Sequence, residues 1–193
     1  MKKSFMSKLS YILALALIVC FTSAPKVSAA TYSLAGWRLY SLLTYIPHQN
    51  FGDTTILHFN YACYEWNSNI GFNLVYRDPT LRHNDNNYPT DDGINRIYRN
   101  NYSSGALAQN TIYYSGGKVT SSDININLYY PWSNSGWGIY YDVWSVFLHE
   151  LGHTIGLDHS TYSSAVMYPS VSAGTEKRSL TSYEKAGLYA LFS

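Results

Sequence analysis

The chain has 193 residues, of which 46% are hydrophobic and 13% are charged, and its formal net charge is +1. This length allows one domain with its own core and is too short for two domains and an export signal. Thirteen basic residues against twelve acidic ones leave no strong cationic surplus, so we expect no nucleic-acid partner.

The first thirty residues have the pattern of a secretory signal peptide. Lysines at positions 2, 3 and 8 precede an apolar run over 11–21, and the small residues Ser28, Ala29 and Ala30 follow it. The run has about half of the ~20 residues that a membrane-spanning helix needs. We therefore expect cleavage near Ala29 or Ala30, release of the protein into the extracellular space, and no stable membrane insertion. A lipid anchor on Cys20 is the alternative, which is disfavoured because residues 17–19 are large and apolar.

Residues 31–193 are predicted to form one globular domain without internal disulfides. Cleavage removes four of the thirteen basic residues, so the domain has nine basic and twelve acidic residues and a net charge of −3. Cys63 is then the only cysteine, and a chain with one cysteine has no partner for an internal disulfide. We expect a monomer whose core alone holds the fold together.

Hydrophobic patterning along the domain predicts both strands and helices. Alternation of apolar and polar residues predicts strands over 35–46, 70–76, 93–98, 105–114 and 124–128. Apolar residues at three- and four-residue steps predict a helix over 53–66, with Cys63 on its buried face as a small core residue. The polar stretch 83–92 predicts a loop. About five strands with two or three helices give an α+β domain.

The segment His149 to His159 carries the chemistry. An apolar stripe from Val143 to Ile155 predicts a helix that begins after Asp142, a residue type suited to the N-cap. In such a helix His149 and His153 lie one turn apart on the same side, so both imidazoles can reach one metal ion.

A glycine and a third histidine complete the predicted metal site. Gly156 can take a left-handed conformation at low cost, which ends the helix and turns the chain so that His159 approaches the metal. Three neutral nitrogens leave the fourth tetrahedral place of one catalytic Zn²⁺ open for water, and Glu150 is placed to take a proton from that zinc-bound water. A bare His-Glu-x-x-His pattern also occurs by chance, but the positions of Gly156 and His159 argue against chance here.

This segment resembles the matrixin branch of the metzincin proteases, which comprises the matrix metalloproteinases and their bacterial relatives. The resemblance continues through Ala165–Pro169, which is similar to the family's Met-turn, and through 180–189, which resembles its C-terminal helix. It covers the whole domain, although the N-terminal third matches only in general pattern. It implies a metzincin fold, with a twisted, mainly parallel sheet of about five strands, about three helices, and an active-site helix followed by the Met-turn.

The resemblance also implies roles for individual residues and a substrate class. Met167 would lie beneath the zinc as the structural floor of the site. Tyr168 and Pro169 would begin the wall of a pocket beside the scissile bond. An edge strand would bind the substrate backbone; its residues are Gly105, Ala106, Leu107 and Ala108. The implied reaction is hydrolysis of internal peptide bonds in protein or peptide substrates.

Two departures from the family pattern limit what is carried over. Gln109 stands where the family often has a histidine that binds a second zinc, so we expect no second zinc site. Fewer than ten residues separate the predicted cleavage site from Trp37, so we expect no inhibitory propeptide and an enzyme that is active on export or restrained by a separate inhibitor.

Several residues and one alternative function stay open. His48, His58 and His83 are interpreted as surface or core histidines rather than ligands. Calcium binding is undecided: solvated loop acids are the favoured interpretation, and the candidate oxygen donors are Asp85, Asp91, Asp92 and Asp123. The competing function is a zinc-stabilised extracellular binding or adhesion module without turnover, and the presence of Glu150 argues against it.

Overall fold

The computed structural model describes residues 32–86, 89–102, 105–135 and 138–193. The predicted signal peptide therefore lies outside the described residues. The helices and strands follow one another in this order: β1 Leu43–Pro47, α1 Asp53–Ile70, β2 Val75–Arg77, β3 Asn95–Asn100, β4 Ala108–Ser115, β5 Lys118–Asn127, β6 Trp132–Ser133, β7 Tyr141–Asp142, α2 Val143–Ile155 and α3 Ser182–Phe192.

The main sheet has five strands in the order β2-β1-β3-β5-β4. Four of them run parallel, and β4 pairs antiparallel with β5 at the edge. The short strands β6 and β7 form a separate parallel pair that leads into α2. The predicted α+β class and metzincin-type architecture, a mainly parallel five-stranded sheet with three helices among the described residues, are confirmed.

Two of the predicted strands are wrong over most of their length. The segment 35–42 forms one isolated bridge to β5, between Arg38 and Lys118, and otherwise lies against the end of α2. Leu39 N donates to Ile155 O over 3.2 Å, and Trp37 Nε1 donates to His153 O over 2.9 Å. Of 70–76, only the last residues enter β2, because α1 continues to Ile70 and ends at Gly71, which has φ +91°. An alternating pattern of apolar and polar residues does not show whether a segment will pair with a strand or pack against a helix.

Helices α1 and α2 pack together on one face of the sheet and bury the largest side chains. Phe59 of α1 meets Phe147 of α2 with ring centroids 5.1 Å apart, and Trp66 of α1 is fully buried. Trp66 also donates from Nε1 to Leu148 O over 2.8 Å. Cys63 is buried in this layer, as predicted, and burial raises the pKa of its thiol.

Helix α3 closes the domain and supports the turn that follows the histidines. Thr181 and Glu184 form a capping box at its start. The Glu184 carboxylate, fully buried, also accepts a hydrogen bond of 3.0 Å from Met167 N. The predicted C-terminal helix is therefore present and is joined directly to the Met-turn.

Along the described part of the chain, none of the helices combines the length and the apolar character needed to cross a bilayer.

Candidate active site

Helix α2 begins as the sequence predicts. The Asp142 carboxylate accepts a hydrogen bond of 3.0 Å from Ser145 N and so caps the helix. Arg178 Nη2 lies 2.6 Å from Asp142 Oδ1, and the Asp142 side chain is inaccessible to solvent. The first turn of α2 is thereby joined to the chain near residue 178.

The rings of His149 and His153 are oriented by hydrogen bonds to backbone carbonyls. His149 Nδ1 lies 2.8 Å from Val166 O, and His153 Nδ1 lies 2.9 Å from Leu157 O. Since a carbonyl can only accept, each Nδ1 carries the proton, and each Nε2 presents a lone pair. The two Nε2 atoms are 3.2 Å apart.

The chain turns at Gly156 and brings in His159. Gly156 has φ +127°, and a Cβ at this position would lie 2.5 Å from Trp37 O, so only glycine fits. His159 Nε2 lies 3.2 Å from His153 Nε2. The ligand atoms of the three histidines all lie within 4.8 Å of one another, and the described residues contain no other group of three potential ligands.

This arrangement fits a zinc ion. Bonds of 2.0–2.1 Å in a tetrahedral site separate the ligand nitrogens by about 3.3 Å, close to the 3.2 Å that separates His153 Nε2 from each of the other two Nε2 atoms. Lone pairs facing one another at this distance repel unless a cation lies between them. Three neutral imidazoles are also the donor set of a catalytic zinc with one position left open.

Burial keeps two of the histidines in the neutral form that binds metal. Removal from water lowers the pKa of His149 to about 3, and the neighbouring His153 lowers it further. Burial also lowers the pKa of His153. Neither ring needs to lose a proton before it can bind a cation at neutral pH.

Glu150 lies in the same cleft as the histidines and is 7% exposed. Burial raises the pKa of its carboxyl to about 8. A cation held by the three histidines would oppose this shift by favouring the charged carboxylate. A carboxyl group under these two opposing influences is suited to accept and return a proton near neutral pH.

Met167 is fully buried and packs against α2 at Gly152, which lies next to His153. A Cβ on Gly152 would collide with Met167 Sδ and would lie 2.9 Å from Trp66 Cζ2. The close packing of the Met-turn against α2 therefore requires glycine at 152. The predicted role of Met167 as the floor of a zinc site remains a prediction.

A cleft of about 690 Å³ runs past the histidines. All six residues predicted to bind substrate line it, namely Gly105, Ala106, Leu107, Ala108, Tyr168 and Pro169. One detail of the prediction is wrong, because β4 begins only at Ala108. The three preceding residues lie outside the strand, where Asn127 Nδ2 donates to Ala106 O over 2.9 Å and Tyr130 Oη donates to Gly105 O over 2.9 Å.

The other candidate ligands do not gather into a metal site within the residues that the structure describes. His48 and His83 form an edge-on ring pair with centroids 5.2 Å apart, and His58 lies beside Trp144. Asp123 is 1% exposed, and burial raises its pKa to about 6. Neither a second zinc nor calcium is established by this geometry.

Sequence reasoning missed a buried polar network between α2 and the sheet. Thr154 Oγ1 lies 3.0 Å from Tyr45 Oη and 2.9 Å from Ser122 Oγ, and it accepts a hydrogen bond of 2.8 Å from Asn110 Nδ2. The same amide donates to Glu150 O over 2.6 Å. Each residue stands alone in the sequence, so no local pattern could have indicated that they meet.

A mainly parallel sheet, a helix with two histidines, a third histidine after a glycine turn and a buried methionine together define a domain of the metzincin class with a candidate zinc site. The chain belongs to the matrixin family, peptidase M10, whose sequence model matches residues 49–193. Zinc is the metal that matrixins use, in agreement with the histidine geometry.

Curated relatives match over a short segment. Metalloendoproteinase 1-MMP from Arabidopsis thaliana is 49% identical over 51 residues, which are 26% of this chain and 14% of that protein. Metalloendoproteinase 1 from Glycine max is 40% identical over 52 residues, which are 27% and 17% of the two chains. Karilysin from Tannerella forsythia is 53% identical over 38 residues, which are 20% and 8% of the two chains. The matches thus cover less than a fifth of each relative's length.

Proposed function

We propose that this protein is a secreted zinc-dependent endopeptidase that hydrolyses internal peptide bonds of extracellular proteins. The observation that carries the proposal is the convergence of three histidine Nε2 atoms in a cleft that Glu150 also lines. Family membership and the three relatives named as metalloendoproteinases or karilysin support the reaction class. The signal-like residues 1–30 support export.

In this proposal His149, His153 and His159 hold the zinc through Nε2, while two backbone carbonyls keep the first two rings in place. When bound, zinc acts as a Lewis acid that lowers the pKa of a coordinated water. The Glu150 carboxylate accepts the proton of the attacking water and then donates it to the nitrogen of the departing amine. The carboxyl begins and ends the cycle without a proton.

The substrate backbone lies in an extended conformation along Gly105–Ala108, next to the edge strand β4. Tyr168 and Pro169 face it across the cleft and form the wall of the pocket beside the scissile bond. A cleft that runs along the edge of the sheet suits an internal segment of a polypeptide, because such a segment continues at both ends.

The test compares the exported protein with Glu150→Ala in zinc content and in cleavage of casein, an unstructured protein. We expect one zinc per chain in both, and a loss of cleavage in the variant of roughly 10²–10⁴-fold because the proton-transfer group is gone. Glu176→Ala, at a glutamate whose side chain is 41% exposed, is the matched control and should keep activity. N-terminal sequencing of the exported form should begin close to residue 30.

The alternative outcomes are distinct. Zinc binding without cleavage by any form would support the binding-module function instead. Equal cleavage by wild type and Glu150→Ala would remove Glu150 from the reaction. An exported form that retains residues 1–30 would contradict the signal peptide.

A further inference from the structure

One positively charged side chain lines the cleft close to the histidines. Lys177 lines the same cleft as Val146 of α2 and as Tyr168 and Val171, which follow Met167 in the chain. Among the described residues that line the cleft, it is the only lysine or arginine, and Glu150 is the only carboxylic acid.

The backbone at Lys177 is fixed to the start of α2. Lys177 N donates to Ser145 Oγ over 2.7 Å, and Ser145 Oγ donates to the Asp142 carboxylate over 2.6 Å. The next residue, Arg178, pairs with the same carboxylate at 2.6 Å. The lysine side chain therefore starts from a position set by a buried network.

The ammonium group lies next to the Met-turn, whose Tyr168 also lines the cleft. Lys177 Nζ donates to Ala165 O over 2.8 Å and lies 5.1 Å from the centre of the Tyr168 ring. An ammonium can donate three hydrogen bonds. Burial lowers the pKa of Lys177, so a bound anion would relieve the cost of holding the charge there.

The described acidic side chains leave this charge without a salt bridge. Glu184 is the carboxylate that acts on it electrostatically, but Glu184 is fully buried. Its two oxygens already accept hydrogen bonds from Met167 N and from Thr181. The ammonium is therefore available to pair with an anionic group that enters the cleft.

We propose that Lys177 determines specificity by selecting glutamate at a substrate position that adjoins the scissile bond. This inference rests on the proposed endopeptidase function. The two methylenes of a glutamate side chain would pack against Val146 and Val171, and its carboxylate would accept hydrogen bonds from Lys177 Nζ. Charge-assisted hydrogen bonds of this kind are among the stronger polar contacts in proteins.

The test uses pairs of fluorogenic peptides that differ only by glutamate or glutamine, placed either before or after the bond that is cut. Wild type should cleave the glutamate peptide of one series about tenfold faster in kcat/KM, since a charged hydrogen bond contributes at least that much. Lys177→Met should bring the ratio close to one. Lys177→Glu should invert this ratio, so that the glutamine peptide is cut faster than the glutamate peptide. This variant should also favour a peptide with lysine at the same position.

The ratio of kcat/KM for two peptides measured on one preparation does not depend on the folded fraction of the variant. Partial misfolding therefore cannot change this ratio. Lys185→Met removes the same charge from the exposed side of α3 and should leave the ratio unchanged. A wild-type ratio near one in both series, or a preference that survives in Lys177→Met, would overturn the proposal.

Binding separates this proposal from the proposed function. The affinity of Glu150→Ala for the glutamate and glutamine peptides, measured by calorimetry with zinc present, should show the same preference without turnover. If no peptide is cut but Glu150→Ala binds the glutamate peptide about tenfold more tightly through Lys177, the endopeptidase function fails and the selectivity stands. Equal binding of the two peptides would refute the selectivity.

Discussion

The two sides of helix α2 are held in different ways. On the side of the sheet, Thr154 meets Tyr45, Ser122 and Asn110 through hydrogen bonds of 2.8–3.0 Å. On the side of the Met-turn, Gly152 meets Met167 and a tryptophan ring of α1 by close packing alone. His149 and His153 project from the same helix that these two contacts hold.

The difference shows how a helix can be fixed in both rotation and distance. Hydrogen bonds are directional, so the polar side sets the rotation of α2 about its own axis. Met167 Sδ and the Trp66 ring pack against Gly152, which has no side chain. This packing sets how closely α2 approaches the layer beneath it. Substitutions on the two sides should therefore lower the free energy of unfolding by different amounts.

The largest effect is expected on the packed side, from Gly152→Ala. The added Cβ would collide with Met167 Sδ and would lie 2.9 Å from Trp66 Cζ2. Overpacking of this kind should lower the free energy of unfolding by about 3 kcal/mol, measured by urea denaturation. It should also weaken zinc binding, because Gly152 adjoins His153.

The control for that substitution is Gly52→Ser. Gly52 precedes α1 with φ −68°, and a Cβ there meets nothing within 4 Å. Serine suits this N-cap position, so stability should change by less than about 0.5 kcal/mol. If Gly152→Ala were as stable as wild type, Met167 and Trp66 would have to move aside without cost, and the packed side would not set the approach of α2.

A smaller effect is expected on the polar side, from Thr154→Val, which keeps the shape and removes the hydroxyl. Asn110, Ser122 and Tyr45 would each lose one buried hydrogen-bond partner. The expected loss of stability is about 2 kcal/mol, since three buried hydrogen bonds are lost together and each contributes about 0.5–1.5 kcal/mol. Urea denaturation of the zinc-free protein measures it without a contribution from metal binding.

Thr120→Val provides the comparison, because Thr120 is exposed on β5 and bonds only to Tyr113 O at 3.0 Å. Its effect should stay within about 0.5 kcal/mol. A cost of Thr154→Val equal to that of Thr120→Val would mean that the remaining three polar groups satisfy one another, and that the network does not fix the rotation of α2.

The features of α2 and of its contacts differ in how far the sequence could predict them. The stretch from Asp142 to His159 was predicted correctly in its helix start, its glycine turn and its approach of three histidines, because cap, period and spacing are local properties. The network around Thr154 was not predicted, since Tyr45, Asn110 and Ser122 come from three different strands. Lys177 was missed for the same reason: its position depends on Ser145 and Ala165, which lie far away in the sequence.

The segment 35–42 was mispredicted as a strand because its backbone pairs with β5 only at the bridge between Arg38 and Lys118, while the burial of Leu39 contributes to its alternating pattern. Leu39 is fully buried, yet its N–H bonds to the end of α2. An alternating pattern records which side chains are buried and leaves open whether another strand or a helix end covers the backbone. Ser33, which precedes this segment, and Tyr183 of α3 support the chain around the third histidine from outside α2.

The smallest of these effects is expected where that outer support reaches His159, from Tyr183→Phe. The Tyr183 hydroxyl accepts a hydrogen bond of 2.8 Å from Ser33 N and donates one of 3.3 Å to His159 O. Its loss should lower the free energy of unfolding by about 1 kcal/mol. It should also raise the dissociation constant for zinc by roughly threefold to tenfold, because a group that positions a metal ligand is removed.

Tyr189→Phe, on the same helix at a side chain that is 76% exposed, is the matched control and should change neither quantity. Competition with a zinc chelator measures the affinity, and urea denaturation measures the stability. If Tyr183→Phe lowered stability while the zinc affinity stayed at the wild-type value, the hydroxyl would support only the N-terminal segment at Ser33. His159 would then be positioned by the turn at Gly156 and by the backbone hydrogen bonds of its two neighbours, from Asp158 N to Ser33 O at 3.0 Å and from Ser160 N to Met167 O at 2.8 Å.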